Sequence, residues 1–176
     1  MLGKYTFAIN QNDLDGIIPV INSVAAEKLY LQTDRYQPTP NWEELLADGF
    51  NVASGLLLIV VKYDEKVIGF GRLFPDNLRG RSTGNIGIVL LPPYRSRGIG
   101  TDLLNLLVET ASEFGFQNLT ADILETNLHS LRLFRRFGFS ELSYQTIICP
   151  HLRGAVEEIT MIRSVFGRTN AYVPDF

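Results

Sequence analysis

Asn85-Ile-Gly-Ile-Val-Leu-Leu-Pro-Pro-Tyr-Arg-Ser-Arg-Gly-Ile-Gly-Thr101 decides how this chain is read. An apolar run predicts a strand, and Pro92 and Pro93 stop it. A loop with Arg95, Arg97, Gly98 and Gly100 follows, and an amphipathic pattern begins at once. Strand, glycine loop and helix start, in that order, make an anion site. The first turn of a helix has N–H groups without intrahelical partners, and the helix dipole adds positive charge there. Glycine lets the backbone come close to a phosphate.

Downstream, Leu103, Leu104, Leu107, Val108, Ala111 and Phe114 form the apolar stripe of a helix from Ile99 to Phe114, ended by Gly115. Asn118 to Leu124 predicts a strand in which Leu119, Ala121 and Ile123 alternate with Thr120 and Asp122. Asn127 caps the next helix, with Leu128, Leu131 and Phe134 on one side and Arg132, Arg135 and Arg136 on the other. Gly138 ends it. A strand runs from Phe139 towards Cys149, and a last one lies near Val156 to Ile162.

Upstream, Leu56 to Tyr63 is a continuous apolar run and predicts a buried strand. Asp64-Glu65-Lys66 turns it into a return strand, Val67 to Phe74, whose glycines mark a bulge or a close approach. Tyr5 to Ile9 predicts a first strand. Asn12 or Asp13 caps a helix carrying Leu14, Ile17, Ile18, Ile21, Val24 and Ala25, with Pro19 expected to kink it or delay its start. Thr39-Pro40 opens a short helix that Gly49 ends.

The order is β-α-α-β-β-β-α-β-α-β-β. It predicts a mixed α/β fold, with a mixed sheet and helices on both faces. One domain over 1–165 and a tail over 166–176 are expected. No apolar run is long enough for a membrane span, and the N-terminus carries no secretory h-region. The single cysteine, Cys149, fits a reducing, cytoplasmic setting. Two dispersed histidines argue against a metal site, and a net charge of −3 argues against nucleic acid. Arg72, Arg79, Arg81, Arg95 and Arg97 nevertheless crowd around the glycine loop, and arginine suits phosphate.

Leu90-Leu-Pro-Pro-Tyr-Arg-Ser-Arg-Gly-Ile-Gly100 resembles the signature of the GNAT superfamily of acyl-CoA-dependent N-acetyltransferases. There, Arg-x-x-Gly-x-Gly holds the CoA pyrophosphate. Asn127-Leu-His-Ser-Leu-Arg-Leu-Phe-Arg-Arg-Phe-Gly-Phe139 resembles the family's second motif, and the spacing between the two also fits. A dinucleotide fingerprint fits less well, because Leu103 stands where its third glycine belongs, and a P-loop Gly-Lys-Ser/Thr is absent.

The resemblance implies a central mixed, mostly antiparallel twisted sheet, and acetyl transfer from acetyl-CoA to a primary amine of a small molecule, amino acid or protein by direct attack. No metal is expected, and a homodimer is possible. The resemblance also implies a pyrophosphate cradle of Arg95, Ser96, Arg97, Gly98, Ile99, Gly100 and Thr101, and pantetheine pairing with the strand of Val89, Leu90 and Leu91. Leu90 N–H becomes the oxyanion donor, and Asn127 and Phe134 become cofactor contacts. Asp122 stands where some members carry a base, with Glu125 next, while Asn85 cannot serve as one. Phe134 replaces the tyrosine that often faces the thiolate, leaving Tyr144 or Tyr30 as substitutes. The acceptor is expected against residues 27–50, with Tyr30, Asp34, Tyr36, Trp42 and Glu43 as lining, and near residues 75–83 and 151–154. The alternative is a non-catalytic acyl-CoA sensor on the same fold. A donor such as succinyl-CoA is a third reading.

Overall fold

In chain order the elements are β1 (Tyr5–Ile9), α1 (Leu14–Ala25), β2 (Phe50–Asn51), β3 (Leu56–Tyr63), β4 (Lys66–Pro75), β5 (Thr83–Leu90), α2 (Ile99–Glu113), β6 (Asn118–Leu124), α3 (Leu128–Arg136), β7 (Ser140–Cys149) and β8 (Gly154–Ser164). They are taken from a computed structural model that describes residues 5–9, 14–36, 50–51, 55–80, 82–152 and 154–165. The expected Asn12 or Asp13 cap, the 39–49 helix, Trp42, Glu43, Arg81 and the 166–176 tail lie outside those residues.

The strands form one sheet in the order β1-β3-β4-β5-β6-β8-β7, with the short β2 also on β3. Every described pairing is antiparallel except β5 with β6. That parallel pair follows from the crossover helix α2 between the two strands. The β3–β4 hairpin turns on Asp64 and Glu65 alone, with φ of 47° and 62°, a two-residue turn whose twist suits the strands. Lys66, expected in the turn, already pairs with Tyr63.

Alternation along β3 divides the core. Leu58 and Val60 join Phe70 and the Ile17, Val20 and Ile21 stripe of α1 on one face. Leu57, Ile59 and Val61 face the other way, with Leu103, Leu104 and Leu107 of α2 and Leu131 and Phe134 of α3. Helices therefore cover both faces. Gly71 permits the second contact: a Cβ there would stand 2.8 Å from Leu107. The register also shifts at Val61/Lys62, so the hairpin carries the bulge as well.

Two expectations are corrected. Pro19 does not delay α1, which begins at Leu14 and keeps Pro19 on its exposed side. Leu128 faces solvent, so the buried side of α3 is Leu131 and Phe134. β2 was not foreseen, being only two residues long. Among the described residues no helix is long and apolar enough to cross a membrane, and no group of three or more His, Cys, Asp or Glu could hold a metal ion.

Candidate active site

β5 and β6 pair only through Thr83, Gly84 and Asn85 with Asn118, Leu119 and Thr120. Past Asn85 the strands part, each held by its outer neighbour: β5 by β4 as far as Leu90, β6 by β8 as far as Leu124. A cavity of about 910 Å³ fills the opening and reaches the segment after α1.

The ladder phase decides which backbone groups face it. Leu91 N–H donates to the Ile68 carbonyl at 2.9 Å. Antiparallel pairs alternate between bonded and non-bonded, so Val89 is bonded to Phe70, while Ile88 and Leu90 turn their N–H and C=O towards the opening. The Leu90 carbonyl accordingly accepts from Arg95 Nε at 2.9 Å. Leu90 N–H thus faces the opening. Val89 and Leu91, also expected to pair with the cofactor, have their amides held by β4 and can offer side chains only. Ile88 was missed, although strand alternation could have found it.

After Leu90 a 3-10 turn, Pro92–Tyr94, leads into the loop. Ser96 and Gly98 both have positive φ, 58° and 88°. Such reversals curl successive amides into an anion-binding concavity. Among the described residues no acceptor is bonded to the amides of residues 96–100. Buried Ile99 anchors the loop from below, and Gly98 C=O begins α2 by accepting from Thr101 and Asp102. Thr101 therefore leaves the expected cradle as an amide donor.

The arginines divide. Arg97 is exposed and lies 5.8 Å over the Tyr94 ring. Arg95 does not point to the cradle. Its Nη atoms meet both oxygens of Glu27 at 2.7 and 2.5 Å, and its guanidinium lies 5.0 Å over Tyr30. Arg95 thus ties the loop to the segment after α1, a pairing across 68 positions that the local sequence does not show.

On the other wall a polar network crosses the point where the strands part. Arg79 bridges Asp76 at 2.7 Å and Asp122 at 3.0 Å. Asp122 Oδ1 also accepts from Thr160 at 2.8 Å, and Oδ2 from Asn85 at 2.9 Å. Thr120 donates to Asp76 Oδ2 at 2.9 Å. Burial pushes the Asp76 carboxyl up, but Arg79 and Thr120 outweigh it and hold it below the usual carboxylate range. Arg79 stays above its ordinary value, its partners outweighing burial. Burial pushes Arg72 down against the opposing charge of Asp122.

Asp122 does line the cavity, but three side chains already donate to it. Glu125 is not brought there: it accepts from Glu157 N–H beside the β6–α3 turn. Asn127 lines the cavity and caps α3 through Ser130 N–H at 3.1 Å. Phe134 is buried edge-on to Phe139 with centroids 5.0 Å apart, and it reaches the cavity. Tyr144 is exposed on β7 and bonded to Glu141, so it does not replace the missing hydroxyl. Tyr30 does line the cavity, with Asp34, Tyr36 and His151. The His151 Nε2 lies 3.1 Å from the Leu31 carbonyl. A carbonyl only accepts, so Nε2 carries the hydrogen, and in the neutral ring Nδ1 is the acceptor.

A family model described as "Acetyltransferase (GNAT) family" matches residues 23–139, and the chain belongs to that family. A curated relative, spermine/spermidine N(1)-acetyltransferase of Bacillus subtilis (strain 168), is 28% identical over 83 residues, covering 44% of this chain and 55% of the relative. The match thus spans about half the relative's length. Among solved structures, a GNAT-family acetyltransferase of Streptococcus pneumoniae superposes with a TM-score of 0.80 at 18% identity, covering 93% of this chain and 100% of that one. A phosphinothricin acetyltransferase of Sinorhizobium meliloti in complex with AcCoA gives 0.73 at 20%, covering 98% and 97%. At these identities the solved structures establish a shared fold.

Proposed function

We propose that this protein is an N-acetyltransferase, moving the acetyl group of acetyl-CoA to the primary amine of a small molecule by direct attack. One observation carries the reading: among the described residues the inner edge of β5 is unpaired at the Ile88 and Leu90 amides, and the amides of residues 96–100 continue beyond it. A pantetheine arm can pair with that edge as an added strand, and the pyrophosphate can sit on the amides with Arg97 beside them. The related acetyltransferases support the same donor.

The amine nitrogen attacks the thioester carbon, and the oxygen becomes an oxyanion. Leu90 N–H meets it, a donor worth about 3 kcal/mol in comparable sites. The C–S bond then breaks. A thiol has a reference pKa near ~8.5, so thiolate leaves without an acid from Phe134. His151 Nδ1 takes the amine proton, because the Asp122 oxygens are already occupied by donors. The buried free thiol of Cys149 supports a cytoplasmic setting.

A thiol-release assay with acetyl-CoA and a panel of small amines tests this. Turnover is expected, and His151→Asn should lower kcat on the order of 10²-fold, the usual share of a general base. Acetyl-CoA binding without turnover of any amine would instead favour the sensor.

A further inference from the structure

We infer that Arg72 is a carboxylate-binding residue, so that the group brought to this site carries a negative charge. The inference rests on the acetyltransferase reading and names the class of molecule the site takes.

Arg72 stands on β4 directly across from Gly87 of β5, and it lines the cavity. Its side chain lies flat across Gly87. A Cβ at position 87 would be 2.9 Å from Nε and 3.3 Å from Cζ, so only glycine leaves room for this pose. The guanidinium rests 5.1 Å over the Phe74 ring. Among the described residues no carboxylate lies within ion-pair distance of it. The two nearby aspartates are both closed by Arg79. Asp122 acts on Arg72 only through space.

A guanidinium has five N–H donors in a planar fork that matches a carboxylate. Here that fork faces a cavity with no described partner, in a setting that already disfavours an unpaired charge. The position is suited to a short molecule. Gly87 is three residues from Leu90, about 10 Å along the strand. An amine at the oxyanion donor can therefore belong to the same small molecule as a carboxylate at Arg72. A carboxylate could also come from the acyl donor, as in succinyl-CoA. The two sources share one chemistry and differ in which substrate loses affinity.

The test is kcat/KM for matched pairs, methionine against 3-methylthiopropylamine and arginine against agmatine, with spermidine alongside and acetyl-CoA as donor. Wild type should prefer the amino acids at least tenfold. In Arg72→Gln that ratio should collapse towards one, a change of roughly 10- to 100-fold for a lost charge-assisted pair. Arg72→Lys should restore part of it. Gly87→Ala should also lower the ratio, because it displaces Arg72 without removing its charge. If Arg72→Gln instead cuts turnover of succinyl-CoA selectively over acetyl-CoA, the carboxylate comes from the donor and the role of Arg72 stands. Turnover with no carboxylate preference in either substrate, or a preference for spermidine, overturns the inference and leaves the acetyltransferase reading intact. No turnover of any amine overturns both.

Discussion

The two walls of the cleft use the same kinds of group in opposite ways. On the β5 side, Ile88, Leu90 and the amides of residues 96–100 carry donors that nothing in the described fold engages. On the β6 side, Asp76, Arg79, Asp122, Asn85, Thr120 and Thr160 bond one another. Free donors at a cavity are ready for a ligand. Satisfied ones hold a shape, here the point where β5 and β6 part. The difference separates residues free to meet a ligand from residues that hold the shape of the cleft, although both sets contain arginines.

Substitutions should respect that division. The largest effect is expected at Asp76, which is buried and pairs with Arg79 and Thr120. Asp76→Ala should cost about 3 kcal/mol, the low end for breaking a buried pair because Arg79 is partly exposed. At this chain length that corresponds to roughly 6–12 °C in Tm by calorimetry. The same residue sets an acid limb. Its carboxyl is held below the ordinary 3.8, so the stability it confers is full above about that pH and lost as pH falls through the lower folded value. Urea titrations between pH 5 and pH 2 (both about) should show a shallower decline in Asp76→Asn than in wild type.

Arg95 is the next test, because it sits on the binding wall yet is bonded within the protein. Arg95→Ala leaves Glu27 without its partner and should cost about 1–3 kcal/mol in urea unfolding. Arg97→Ala should do the reverse. The side chain is exposed, so stability should move by less than about 0.5 kcal/mol. Acetyl-CoA affinity by calorimetric titration should fall about tenfold, and less at high salt, as for one exposed charge-assisted contact. Equal stability losses in the two variants would erase the distinction between engaged and free groups.

The proposed binding wall was largely legible in the sequence as an element pattern because it is local. Strand, prolines, glycine loop and helix start follow one another within 17 residues of Asn85–Thr101. Leu56–Tyr63 and Asn118–Leu124 were likewise read to the residue from their apolar positions, although Thr120, expected to alternate with the apolar side, is fully buried. The holding wall was not legible. Arg79 reaches Asp122 across 43 positions and Thr160 across 81, and only the order β5-β6-β8 brings them together. For the same reason the arginine cluster misled: five arginines crowd around the glycine loop in sequence and Arg95 and Arg97 were expected at the pyrophosphate, whereas Arg79 and Arg95 are closed by carboxylates. His151 was visible only as part of a loop facing the acceptor. Its tautomer depends on the Leu31 carbonyl, 120 positions away.

Residue-level amide hydrogen exchange with and without acetyl-CoA tests the central claim most directly. Ile88, Leu90 and residues 96–100 should be slowed by the ligand, because their N–H groups gain acceptors, while Val89 and Leu91 are protected beforehand and change little. Protection at Val89 with none at Ile88 or Leu90, or no ligand effect at residues 96–100, would contradict the account.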